Sequence, residues 1–330
     1  MSKIAVITGA GAGVGRATAL EFARNGYDVG LLSRDPARLD SLAAEIRGLG
    51  RKALAVPTDV ADAEAVDHAA ARVEGELGPI HTWVNVAMAT VFAPVAELTA
   101  EEIRRATDVT YQGQVHGMMA ALKRMRVRRR GVIVNIGSAL GYRSVPLQAP
   151  YCAAKAAIRG FTDSLRSELI HDGLDIQLTM VMLPAVNTPQ FDWAMNKMSK
   201  KAQPVPPIFE PEVAARAIFF AATNKRREIW VGYSSVQAIV GNMIAPGLLD
   251  RFLAKKGYKS QLSNTPKPAD APANLFHPVA GHATAHGRFD SEARSTSLEM
   301  VTERHRDAVI AGVGLIGLLS IASLFMRRRR

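Results

Sequence analysis

The sequence predicts an α/β fold: a doubly wound parallel sheet in a single domain, followed by a C-terminal arm and a membrane helix. Three observations predict it. Short apolar runs alternate with helix-period segments from residue 3 to about 232, a glycine-rich string joins the first run to the first helix, and the rhythm stops after Gly232.

The strand candidates, in order, are Lys3–Ile7, Asp28–Leu32, Ala53–Val56, Ile80–Asn85, Val132–Ile136, Ile176–Val181 and Ile229–Val231. Most are apolar throughout rather than alternating, as expected of parallel strands covered on both faces. Val14–Arg24, Pro36–Leu49 and Asp62–Leu77 carry the helical period between them, and Tyr151 opens another helical segment that runs to Ile170. Residues 235–256 allow one or two further helices, interrupted at Pro246-Gly247. The chain therefore divides into a nucleotide-binding domain over 1–256, a polar arm or linker over 257–303, and a hydrophobic helix with a basic end over 304–330.

Ala308–Met326 holds 19 residues without a charge. As a helix it would reach roughly 28 Å, close to the ~30 Å hydrocarbon thickness of a bilayer. The expectation is a membrane anchor, with the catalytic domain in the cytoplasm. A terminal helix packed on protein and one lying in the interface are the alternatives. Arg327–Arg330 complicate a crossing, because such clusters favour the cytoplasmic side.

The balance of 41 Lys and Arg against 30 Asp and Glu gives +11, but the charge is clustered: six cations fall between Lys123 and Arg130 and four close the chain. No zinc-ligand spacing or RNA-recognition signature accompanies them, which argues against a nucleic-acid binder. The 123–130 cluster reads either as a membrane-facing patch or as a solvated helix end. A lone Cys152 cannot form an internal disulfide, which fits a reducing compartment. The first apolar stretch, Ile4–Ile7, is too short for a secretory signal. His277, His282 and His286 match no metal spacing, so no metal is expected.

The first strand runs into Thr8-Gly9-Ala10-Gly11-Ala12-Gly13-Val14-Gly15. Between an apolar strand and an amphipathic helix, such a string lets the backbone approach a pyrophosphate at a helix N-terminus. At the end of the second strand, where an acid often holds the adenosine ribose, the chain has Ser33-Arg34. A hydroxyl and a guanidinium suit a 2′-phosphate, and Arg16 is placed to add a second charge, so NADP(H) is favoured over NAD(H). Asp35 is the competing partner for Arg34. Asp59-Val60, beyond the third strand, lies at the carboxyl edge where ligands bind; Asp59 is placed for the adenine amino group or as a helix cap.

Tyr151 and Lys155 lie one helical turn apart and share a face. A nearby cation favours phenolate and makes the tyrosine a candidate acid/base. Ser138, 13 residues earlier at the end of an apolar strand, is placed to steady a substrate oxygen. With the glycine loop, Asn85 and Pro184–Thr188, these residues resemble the short-chain dehydrogenase/reductase family, in its compact branch, over about residues 3–232. The resemblance implies a single-domain Rossmann-like fold, a dimer or tetramer, and hydride transfer between nicotinamide and an alcohol or carbonyl. It also implies that Ser138 orients the substrate, Tyr151 is the acid/base, and Lys155 binds the nicotinamide ribose and lowers the Tyr151 pKa. Ile136, Pro184 and Thr188 would lie along the nicotinamide, with Asn85 and Ala87 near the cofactor.

Three departures stand out. Met88 replaces a glycine in the motif after the fourth strand. Thr110 stands where the family has an asparagine holding a relay water. Pro184-Ala185-Val186-Asn187-Thr188 lacks the usual glycine. Phe191, Trp193, Met195 and Met198 fall in the expected substrate lid. The reading is an NADP(H)-dependent oxidoreductase for an apolar carbonyl or alcohol; the alternative is a non-catalytic nucleotide-binding or scaffold protein.

Overall fold

The computed structural model describes residues 2–281, 283–297 and 299–300. Seven parallel strands form the central sheet: β1 (Ile4–Thr8), β2 (Asp28–Ser33), β3 (Ala53–Pro57), β4 (Ile80–Asn85), β5 (Arg130–Ser138), β6 (Asp175–Leu183) and β7 (Glu228–Trp230). Their spatial order is β7-β6-β5-β4-β1-β2-β3. The order reverses direction between β1 and β4, which opens a crevice at the strands' carboxyl ends. Every expected strand is present. β5 and β6 run longer than their apolar cores because continuous pairing carries them from Arg130↔Asp175 to Ser138↔Leu183.

Local chemistry explains where the helices begin. α1 (Gly13–Arg24) starts in the glycine loop with no side-chain cap, leaving its first N–H groups to other partners. Asp35 caps α2 (Pro36–Gly48), with Pro36 in its first turn, and Asp62 caps α3 (Ala63–Glu76). Thr99 and Glu102 form a capping box at α4 (Ala100–Thr107). A π-helical turn, Asp108–Gln112, leads into α5 (Gly113–Arg128). α6 spans Ala149–His171, α7 Pro211–Thr223, α8 Tyr233–Ile244 and α9 Pro246–Ser260.

Each sheet face has its own core. One packs Phe22, Leu31, Leu39 and Ile218, with Phe22 edge-on to Tyr27 and Phe219 at 5.1 Å each. Phe22→Ala there would cost about 3–5 kcal/mol through lost burial and a cavity. The other packs Val66, Trp83, Met118, Ile133 and Leu165.

Four of the six cations at 123–130 are paired with acids within the fold. Lys123 and Arg124 pair with Asp67, Arg128 with Glu74, and Arg126 with Asp172. The solvated helix end is therefore the reading the structure supports.

α9 continues to Ser260, so residue 256 lies inside a helix. The arm beyond it is tied to the domain. Leu262–Pro266 pairs antiparallel with Lys200–Ala202, and Ala293–Arg294 adds to Ile208–Phe209 beside Ala185–Val186. Polar composition disguised this, because the arm is held largely through backbone hydrogen bonds rather than an apolar stripe. The 308–326 segment lies outside the described residues, as do Arg327–Arg330 and His282. Among the described residues no helix is long and apolar enough to cross a membrane, and no group of His, Cys, Asp and Glu could hold a metal ion.

Candidate active site

A cavity of about 600 Å³ runs along the carboxyl edge of the sheet, from the glycine loop to the α8–α9 corner. Its size suits a small-molecule or cofactor site. Gly9, Gly11, Gly13, Val14, Gly15, Ser33, Arg34, Asp59, Val60, Ala87, Ile136, Ser138, Tyr151, Lys155, Pro184 and Thr188 all line it.

The glycine loop is sterically exacting. A Cβ on Gly15 would lie 2.1 Å from the Gly9 carbonyl oxygen, so the α1 start can sit on the loop only as glycine. Gly13 has φ +57°, and its missing Cβ would meet Thr188 at 3.2 Å. Beside them the Ser33 hydroxyl is buried without a hydrogen-bond partner in the described structure. Backbone amides at a helix start, a bare glycine surface and an unpartnered hydroxyl at the end of β2 fit a dinucleotide.

Four expected residues do not reach this cleft. The Thr8 hydroxyl accepts the Val86 and Ala87 N–H groups at 3.0 and 3.3 Å, tying the β4 exit to the glycine loop. Arg16 points toward α2, where it pairs with Glu45 at 2.7 Å and bonds Ser41. Asn85 is fully buried, accepting from the Trp83 indole and donating to Asn135 at 2.9 Å. The Thr110 hydroxyl both donates to and accepts from the Ala89 backbone, at 2.8 and 2.9 Å. Its hydrogen is spent on the Ala89 carbonyl, so its oxygen keeps only accepting capacity. In each case one spacing along the chain serves two directions, and the packed partner chose the inward one.

At the nucleotide end Asp35 pairs with Arg38 at 3.3 Å, not with Arg34. Arg38, absent from the sequence expectation, lines the cavity and stacks its guanidinium 4.4 Å from the Trp193 ring centre. One helical turn beyond the β2 exit, it could have been found by asking which first-turn α2 side chain faces the ribose. Asp59 pairs with Arg105, and its other oxygen accepts the Ala61 N–H.

At the catalytic end Tyr151 is half-buried in the first turn of α6, within the electrostatic reach of Ser138. The Ser138 hydroxyl also accepts the Leu140 N–H at 3.1 Å. Burial pushes the Tyr151 phenol above its usual value, against the pull of Ser138. Lys155 is buried, with Nζ 5.6 Å from the Tyr151 ring centre, and it donates to the Ile136 carbonyl at 2.6 Å. Burial pulls its pKa down to about 7. The expected lowering of the phenol by Lys155 is not the dominant influence, because desolvation acts on both groups. Cys152 is buried and its thiol is pushed up by burial, which makes it a packing residue.

Beyond Tyr151 the wall changes character. Leu140, Val145, Leu249, Phe252 and Leu253 face the cavity with Phe191 and Trp193, while Gln148 and Ser235 supply polar points. Gln148 is fixed by Thr90 and Gln261, and Ser235 has a buried, unpartnered hydroxyl.

The short chain dehydrogenase family matches residues 3–199. YxnA of Bacillus subtilis (strain 168), described as an uncharacterized oxidoreductase, is 29% identical over 323 residues, 97% of this chain and 90% of its own. That match includes the arm. The 17-beta-hydroxysteroid dehydrogenase type 3 of Mus musculus is 36% identical over 206 residues, covering 61% of this chain and 66% of that protein. An alcohol dehydrogenase from the archaeon Thermococcus sibiricus, solved with 5-hydroxy-NADP, aligns with TM-score 0.60 and 25% identity over 69% of this chain and 95% of that one. The chain belongs to the short-chain dehydrogenase/reductase family and is a nicotinamide-dependent oxidoreductase.

Proposed function

We propose that this short-chain dehydrogenase/reductase uses NADP(H) to interconvert a carbonyl and an alcohol on an apolar small molecule. One observation carries the reading: a single cavity joins Ser33, Arg34 and Arg38 at one end, Ser138, Tyr151 and Lys155 in the middle, and Leu249, Phe252 and Leu253 at the other. The arginines suit a 2′-phosphate, and the Thermococcus enzyme's 5-hydroxy-NADP complex agrees with that choice. The apolar far end, and the likeness to a hydroxysteroid dehydrogenase, favour a lipophilic substrate.

Bound nicotinamide supplies or accepts the hydride at its C4. Ser138 hydrogen-bonds the substrate oxygen and holds it beside the Tyr151 phenol. In reduction Tyr151 gives its proton to that oxygen as the carbon gains hydride; in oxidation it takes the proton back. Lys155, on the ribose side, holds the nucleotide and supplies positive charge that opposes the burial of a phenolate. Ile136, Pro184 and Thr188 border the ring's position.

The cavity mouth supports contact with membrane lipid. Phe252 lines the cavity and is exposed, and Met243, Ile244 and Leu248 are exposed on the same α8–α9 pair, which also carries Arg251, Lys255 and Lys256. Exposed Met119 and Val127 on α5 and Ile170 on α6 support a homo-oligomeric interface. The test compares wild type with Tyr151→Phe, each with NADPH or NADH, against lipophilic ketones, aldehydes and alcohols. Turnover with NADPH that Tyr151→Phe abolishes is expected. Tight NADPH binding without turnover across the panel would instead favour a scaffold.

A further inference from the structure

The arm returns to the nucleotide end of the cleft and takes hold of the cations there. Arg34 donates to the backbone carbonyls of Asn274 at 2.5 Å, Phe276 at 3.0 Å and Leu275 at 3.3 Å. Arg38 donates to the carbonyls of Gly281 at 2.9 Å and Val279. The segment is seated at both ends. Leu275 is fully buried against the α3–α5 side of the core, and the Asn274 N–H bonds the Trp193 carbonyl at 2.8 Å. Farther on, the Thr284 carbonyl accepts the Gly13 N–H at 3.1 Å, and the Phe289 N–H bonds the Asn187 side chain at 3.0 Å.

Partly buried guanidiniums need acceptors, since a desolvated cation without one is costly. Asp35 reaches Arg38, while Asp59 forms its ion pair with Arg105. The remaining demand on Arg34 and Arg38 is met by neutral peptide oxygens. Phosphate oxygens carry the negative charge that peptide carbonyls lack, and they meet guanidinium in a two-pronged geometry. These carbonyls and a ribose 2′-phosphate would use the same N–H donors.

We propose that residues 274–281 form a strap whose backbone carbonyls stand in for 2′-phosphate oxygens at Arg34 and Arg38, so that NADP(H) displaces the strap and NAD(H) leaves it in place. This rests on reading the two arginines as the 2′-phosphate site. The strap then sets cofactor choice: it holds the cations satisfied for NAD(H) and must yield for NADP(H), reducing the discrimination that the arginines alone would give. Asn274, Pro278 and Val279 also line the cavity, so its release widens the nucleotide end.

Full-length protein is tested by hydrogen–deuterium exchange over 274–281 and by fluorescence titration with NADPH and with NADH. NADPH should speed exchange across the strap by about tenfold, a shift of about 1.4 kcal/mol, while NADH leaves it unchanged. Two variants loosen the strap. Leu275→Asp removes its buried anchor. Gly281→Val is the gentler one: φ is +90° there and a Cβ would meet no neighbouring atom, so the strain stays in the strap. Either folded variant should bind NADPH about threefold or more tightly and NADH within about twofold of wild type. Equal protection of the strap by both cofactors, or parallel changes in both affinities, overturns the proposal. Arg34→Ser separates the two levels. If it leaves the NADPH-to-NADH affinity ratio unchanged, the 2′-phosphate reading fails and the strap proposal with it. If it lowers the ratio while NADPH leaves strap exchange unchanged, the strap proposal alone fails.

Discussion

Lys155 donates its ammonium hydrogen to the Ile136 backbone carbonyl at 2.6 Å. That contact spans α6 and β5, and it fixes the cation between Tyr151 and the strand end that carries Ser138. Replacing the cation should therefore have consequences in two separate measurements.

For stability, burial holds the folded Lys155 pKa at about 7, below its ordinary value of ~10.4. Between those values the unfolded chain binds more protons, so this group's contribution rises with pH through the window and is lost as pH falls through 7. Urea melts at neutral and alkaline pH should show that rise in wild type and a flatter profile in Lys155→Met. Activity of Lys155→Met at neutral pH should fall by about 10²-fold or more.

Tyr151 should stay protonated until above the ordinary tyrosine value, because desolvation outweighs the opposing pull of Ser138. Ultraviolet difference titration of cofactor-free wild type against Tyr151→Phe should reveal no phenolate from this residue below pH ~10. Adding oxidised cofactor, whose ring is positive, should bring the transition down. Ionisation near neutrality without cofactor would contradict the dominance of burial.

Thr110→Val keeps the side-chain shape but strips both hydrogen bonds from the Ala89 peptide. Leaving that buried peptide unpaired should cost about 1–3 kcal/mol in a denaturant melt. A relay role would instead appear as lost kcat at unchanged stability, so the two measurements separate the roles.

Replacing both Arg34 and Arg38 with serine should weaken NADPH by about 10- to 100-fold and change NADH little, read from direct binding. If both affinities fall together, the arginines serve the adenosine half in general rather than its phosphate.

His286 bonds both Asp290 and Glu212, joining the arm to α7. Burial lowers its pKa, but the two carboxylates win and the net shift is upward from 6.5. The contribution is thus complete below pH 6.5 and lost as pH rises through the folded value. Protease sensitivity of the arm should increase across that range, and His286→Gln should remove the pH dependence.

The sequence by itself determined the sheet, the glycine loop and the Tyr151–Lys155 pair, because each is written in local spacing: continuous apolar runs, glycines with no room for Cβ, and one helical turn between two side chains. Ser138 was legible for the same reason, standing at the end of an apolar strand. Tertiary structure alone decided which way side chains of equal promise point. Arg16 faces Glu45, Asn85 faces Asn135, and Thr110 is spent on Ala89, since a buried polar group goes to whichever partner the fold brings near. The same holds for Arg34. Its carbonyl partners lie some 240 residues away, and no periodicity links them, because peptide oxygens carry no side-chain signature for a sequence to display.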